Sequence, residues 1–197
     1  MSHRRIDMAR AHRLDAPERI LWLPPSEVVD TLALKPGEVI ADVGAGTGYF
    51  SIPMARAILP GGRVYAVDVQ QEMLSLLKKK LGQHFLTNLE LVHADAITTK
   101  LPGASIDLVF MANVWHEFDA RNAVLRESIR ILKPSGRIAI LDWRPDVEPE
   151  YGPPLEHRLS ASEAKAELTI EGFSQIGQRQ IGRYSWLVQA TLPETSS

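Results

Sequence analysis

Seven residues, Asp42-Val43-Gly44-Ala45-Gly46-Thr47-Gly48, constrain this chain more than any other stretch. They end an apolar run that begins at Val39 and lead into Tyr49-Phe50-Ser51-Ile52, so three alternating glycines turn a strand into a helix. Glycine tolerates φ above zero and lets a ligand touch backbone that a Cβ would shield. Such a turn belongs to a doubly wound α/β sheet, where ligands bind at the carboxyl ends of the strands. A dinucleotide fingerprint would carry its third glycine one place later, where this chain has Tyr49, so the turn suits a ligand without phosphates. Asp42 offers an acceptor to that ligand's ammonium, or to water and amides around it.

The remainder of the chain supplies the expected partners for this unit. Apolar runs at Val39–Val43, Arg63–Val67, Leu89–His93, Ile106–Ala112 and Arg137–Leu141 have the length and composition of buried parallel strands. Between them, Gln71–Leu81 and Ala120–Leu132 carry apolar residues at helical spacing. Lys78, Lys79 and Lys80 read as a solvated helix end, and the second helix is expected to stop at Pro134-Ser135-Gly136. Arg144–Arg158 has four prolines and no period of either kind, which predicts a long loop with a functional role. Ser162 is the expected cap of a helix from Glu163 to Ile170, followed by an edge hairpin of Phe173–Arg179 and Tyr184–Thr191. The expectation is a single domain over 1–197, with 1–35 as an N-terminal helical cap, 144–158 as a substrate loop and a disordered end at 193–197.

Two further carboxylates stand where strands end. Asp68 closes Val64-Tyr65-Ala66-Val67, 20 residues beyond Gly48, a position from which a carboxylate reaches ribose hydroxyls. Asp95, in His93-Ala94-Asp95-Ala96, can accept from an exocyclic amine or else form the turn toward Leu101-Pro102. His93 reads as a packed strand residue. Composition prunes the partners: a net charge of −2 with a pI near 6.3 provides no broad positive field for nucleic acid. The absence of cysteine removes disulfides, zinc-thiolate sites and thiolate nucleophiles. No stretch has the length of a membrane span and the basic start lacks a signal-peptide core, so a cytoplasmic location is expected. The oligomeric state is left open.

These residues resemble the class I S-adenosylmethionine-dependent methyltransferases. The resemblance rests on DVGAGTG at 42–48, Asp68 after VYAV, HADA at 93–96, FMANVWHEF at 110–118 and LKPSGRIAILDW at 132–143. It covers roughly residues 35 to 191 and is strongest toward the ubiquinone and menaquinone biosynthesis branch, of the methyltransferase type 11 kind. It implies a Rossmann-like seven-stranded sheet of order 3-2-1-4-5-7-6 with strand 7 antiparallel, and S-adenosylmethionine as cofactor. It also implies the cofactor's methionine end over Gly44 and Gly46, its ribose at Asp68 and its adenine near Asp95 and Ala96, with Asp42, Ala45, Gly48 and Val69 among the cofactor-binding residues. Ala112 and Asn113 would then face the methionine portion.

The resemblance implies methyl transfer to a small-molecule acceptor. Ala112-Asn113-Val114-Trp115 is not the Asn-Pro-Pro-aromatic signature of amino-methylating DNA enzymes, and without cysteine neither cytosine C5 nor arsenic methylation is supported. Two rivals are a nicotinamide oxidoreductase, opposed by Tyr49, and a cofactor-binding regulatory or interaction module without turnover. The acceptor pocket is expected from Met1–Pro25, Asn113–Asp119 and Asp142–Arg158. Within it His116 is the candidate catalytic base, with Glu117 or Asp119 holding its tautomer, against the alternative of a histidine bonded to loop backbone.

Overall fold

The apolar runs form one twisted sheet. The structure, a computed structural model, describes residues 14–148 and 150–194. Met1–Arg13, Pro149 and Thr195–Ser197, which hold part of the expected cap and most of the expected disordered end, lie outside the described residues. The strands are β1 (Val39–Val43), β2 (Arg63–Asp68), β3 (Leu89–His93), β4 (Ile106–Ala112), β5 (Leu132–Trp143), β6 (Ser174–Ile181) and β7 (Ser185–Thr191). Their order is β3-β2-β1-β4-β5-β7-β6, with β7 antiparallel to both neighbours and the other pairs parallel. The order reverses at β1, which lies between β2 and β4, and a crevice therefore opens past Val43.

Burial on both faces explains why the central strands are continuously apolar. Val109, Met111, Ile138 and Ile140 point into one core with α5 (Arg121–Ile131) and α6 (Ala161–Ile170). Leu108, Phe110, Ala139 and Leu141 point into the other, beneath α2 (Pro25–Leu32) and α3 (Ser51–Ala57). The four-residue α1 (Arg19–Trp22) precedes these, and α4 (Gln71–His84) leans on β2 and β3. Among the described residues no helix is long and apolar enough to cross a membrane.

Four local expectations need correction. The cap of α6 is Ser160, not Ser162: its hydroxyl accepts from the Glu163 amide while the Glu163 carboxylate accepts from the Ser160 amide. Helix α5 ends at Ile131 and β5 starts at once, so Lys133-Pro134-Ser135-Gly136 lies within the strand's bounds. His93 is exposed, its ring 3.0 Å from the Val69 carbonyl. Lys80 is no mere solvated end: its Nζ donates to the Thr47 carbonyl at 2.8 Å and pairs with Asp15 at 2.5 Å.

Candidate active site

The glycine turn is held by its neighbours on the next strand. Gly44 and Ala45 donate their amides to the Val67 carbonyl at 2.9 and 3.1 Å, and Gly46 donates to Asp68 Oδ2 at 2.8 Å. Asp68 Oδ1 accepts from the Gln70 amide at 2.8 Å, so both carboxylate oxygens brace backbone. Burial pushes the Asp68 carboxyl above the usual carboxylate range, while these two amides pull it back. A Cβ on Gly44 would lie 2.7 Å from Val114, whereas one on Gly46 would meet only Leu14, at 3.6 Å. The Gly46 backbone thus borders open space.

Of the residues expected to hold the cofactor, Gly44, Gly46, Asp68, Val69, Asp95 and Ala96 line one cavity. Asp95 also accepts from the Ile97 amide at 3.0 Å, so it forms the turn after β3 as well as lining the cavity. Asp42, Ala45, Ala112 and Asn113 line an adjoining cavity that shares Gly44, Gly46 and Val114 with the first. Gly48 lines neither. It makes room for α4, since a Cβ there would sit 2.3 Å from Leu77. Asp42 is buried and accepts from the Ser51 hydroxyl; burial raises its carboxyl to about 7, against the pull of Ser51 and with added repulsion from Asp68.

A third and larger cavity, about 620 Å³, opens beside Asn113. Its walls come from Leu14–Trp22, from Asn113–Glu117 and from Trp143–Pro153, parts of all three segments expected to build the acceptor pocket. Aromatic rings dominate: Trp22 stacks on Tyr151 at 4.9 Å between centroids and tilts against Trp143 at 5.2 Å. The long loop keeps its shape through Arg158, which is 6% exposed. Its guanidinium donates to the carbonyls of Pro153, Arg144, Val147 and Tyr151.

His116 lies in a 3-10 turn, Trp115–Glu117, just past β4. Its Nδ1 is 2.8 Å from Asp142 Oδ1, and its amide donates to Asp142 Oδ2 at 2.9 Å. The partner expected from sequence was Glu117 or Asp119. The structure replaces them with Asp142, fully buried on β5, because parallel pairing brings the ends of β4 and β5 together across 26 residues. Glu117 stays near the other ring nitrogen, 3.8 Å from Nε2. Burial disfavours the imidazolium, but the hydrogen bond and charge of Asp142, aided by Glu117, outweigh it and hold the His116 pKa above the usual histidine value. An acceptor-only carboxylate on Nδ1 requires the proton there, which leaves the Nε2 lone pair for a substrate.

Sequence reasoning placed the segments that carry Arg19, Trp22, Asp142, Trp143 and Arg158 but singled out none of these five residues. Asp142 carried the same signal that singled out Asp68, an acid closing an apolar strand. Buried polar atoms mark two of the others: Arg19 Nε and Trp22 Nε1, like both amide atoms of Asn113, have no hydrogen-bond partner among the described residues. Native proteins rarely strand such groups, so their concentration around the cavities points to ligands.

Comparison with known proteins agrees with this geometry. Residues 41–140 match the family described as a methyltransferase domain. A solved S-adenosylmethionine-dependent methyltransferase from Aquifex aeolicus is 31% identical, with a TM-score of 0.90 over 95% of this chain and 100% of that one. A curated demethylmenaquinone methyltransferase of Listeria welshimeri is 29% identical over 170 residues, which span 84% of this chain and 67% of the relative. The phosphoethanolamine N-methyltransferase 2 of Haemonchus contortus, solved with S-adenosylmethionine, shares the fold at 12% identity (TM-score 0.75, 93% of this chain and 56% of that one).

Proposed function

Because this chain belongs to the methyltransferase domain family and is a class I S-adenosylmethionine-dependent methyltransferase, we propose that it methylates a small planar acceptor bearing an ionisable hydroxyl, with His116 as general base. One observation carries the reading: an imidazole pinned through Nδ1 by buried Asp142 lines an aromatic cavity that adjoins the glycine turn. S-adenosylmethionine supplies a methyl group already activated on a sulfonium, so methyl transfer asks the protein mainly for alignment and exclusion of water. The packed rings of Trp22, Trp143 and Tyr151 would give a flat ring an aromatic wall to lie against, and His116 Nε2 would take the hydroxyl proton as the acceptor oxygen or an adjacent ring carbon becomes nucleophilic.

On this reading Gly44, Ala45 and Gly46 face the methionine end, Asp68 and Val69 the ribose, and Asp95 and Ala96 the adenine. Ala112 and Asn113 separate cofactor from acceptor. The relatives named demethylmenaquinone methyltransferases supply the first acceptor class to try, hydroquinones and phenols. A second reading is an amine, since Glu18, Glu117 and Glu150 share the cavity with the aromatic rings. The test is a panel of phenols, hydroquinones and amines offered with methyl-labelled cofactor. Label entering hydroxylated rings supports the proposal, and label confined to amines overturns it.

A further inference from the structure

Arg19 presents an unusual balance of charge. Its side chain lies in the wall shared by the two cavities that contain Asn113, and the residue is 7% exposed. Nη1 donates to the Leu14 carbonyl at 2.7 Å, and the guanidinium carbon sits 4.0 Å from the Tyr49 ring centroid. Nε is buried with no partner among the described residues. Among the described residues no carboxylate forms an ion pair with it, and Asp15 is already bound to Thr47 and Lys80. Burial lowers its pKa only to about 10, so it is a cation at neutral pH. A buried cation with a donor directed at nothing is costly unless an anion arrives.

The other polar groups around the same cavity identify the anion. The same cavity is lined by Asp42 and by Asn113, whose amide oxygen and nitrogen are also without partners among the described residues. One cation and one acid facing a single small space complement a zwitterion, and the cofactor's α-amino acid end is one. We propose that Arg19 is the receptor for the carboxylate of the cofactor's amino-acid end, with Asn113 and Asp42 on the ammonium side. The planar guanidinium suits this task because its N–H groups are fixed in a fork that matches carboxylate geometry. Arg19 lies outside residues 41–140, so this contact comes from the N-terminal segment and not from the part that matches the family. It does not depend on which acceptor is methylated.

The test compares S-adenosylhomocysteine with its decarboxylated analogue by isothermal titration, in wild type and in Arg19→Met and Arg19→Lys. Wild type should prefer the carboxylate form by roughly ten- to hundredfold. That preference should collapse in Arg19→Met and partly return in Arg19→Lys, while affinity for the analogue stays within a few-fold. A ratio between two ligands on one protein cancels general loosening, and Arg19→Lys keeps the test alive should the methionine variant fold poorly. A preference that survives in both variants overturns the assignment. So does an acceptor KM that rises while the cofactor preference is intact, which would give Arg19 to the acceptor.

Discussion

The cavity proposed for the cofactor and the cavity proposed for the acceptor are built differently. The first is made of short-range features: glycines at alternate positions, an acid at the end of β2 and another after β3, each in fixed relation to its own strand. The second is assembled from a stretch before β1, a turn after β4 and a loop after β5, held by long-range contacts such as His116 to Asp142 and Trp22 to Tyr151. On the proposed assignment, a cofactor common to many enzymes is served by rigid backbone, and an acceptor peculiar to one by side chains on connecting segments.

Variants that damage one half alone test this division. The largest expected effect is that of Gly46→Val. Gly46 has φ +55, which a β-branched residue does not tolerate, and its backbone borders the cofactor cavity. Titration with S-adenosylmethionine or S-adenosylhomocysteine should show no detectable binding. Next comes His116→Ala, expected to lower kcat by roughly 10²–10⁴-fold with cofactor affinity unchanged. In wild type the base must be neutral, and Asp142 raises its pKa, so the rate should climb with pH through a value above the ordinary histidine pKa. A flat profile, or near-normal kcat in the alanine variant, would assign His116 to structure.

Asp68→Ala is expected to weaken cofactor binding at least tenfold, by loss of a charged hydrogen-bonding partner. Because Asp68 also braces the amides of Gly46 and Gln70, the variant should melt at a lower temperature as well, and the ligand-free Tm measures that second part. Unchanged titration would remove the ribose assignment. The smallest effect on catalysis is expected from Arg158→Ala, which strands the loop carbonyls of Pro153 and Tyr151 at a cost of about 1–3 kcal/mol. Acceptor KM should rise while cofactor affinity stays put. Equal losses in both would show that the two cavities are not separable.

How much of this was legible follows from the same contrast. The sheet order and the antiparallel β7 agree with the resemblance, because buried strands and glycine turns leave marks within a few residues of one another. The gathering of Gly44, Gly46, Asp68 and Asp95 around one cavity was readable for the same reason. The partner of His116 was not, since Glu117 and Asp119 are near in sequence whereas Asp142 is near only once β4 and β5 pair. Arg19 and Arg158 look in sequence like ordinary surface cations, and only burial against carbonyls and rings distinguishes them. Gly48 shows the converse: it belongs to the motif by spacing, yet it makes way for Leu77.

The tie between Asp15 and the glycine turn has a thermodynamic consequence. Asp15 accepts from the Thr47 hydroxyl at 2.9 Å and pairs with Lys80, and four residues later the same strand of chain supplies Arg19 and then Trp22 to the acceptor cavity. Occupancy of one cavity that shifts this segment must therefore alter the free energy of filling the other. Reciprocity then fixes the bookkeeping: whatever factor the cofactor adds to acceptor affinity, the acceptor adds to cofactor affinity. Cutting the tie, as in Asp15→Asn, would draw that shared factor toward one from both sides at once.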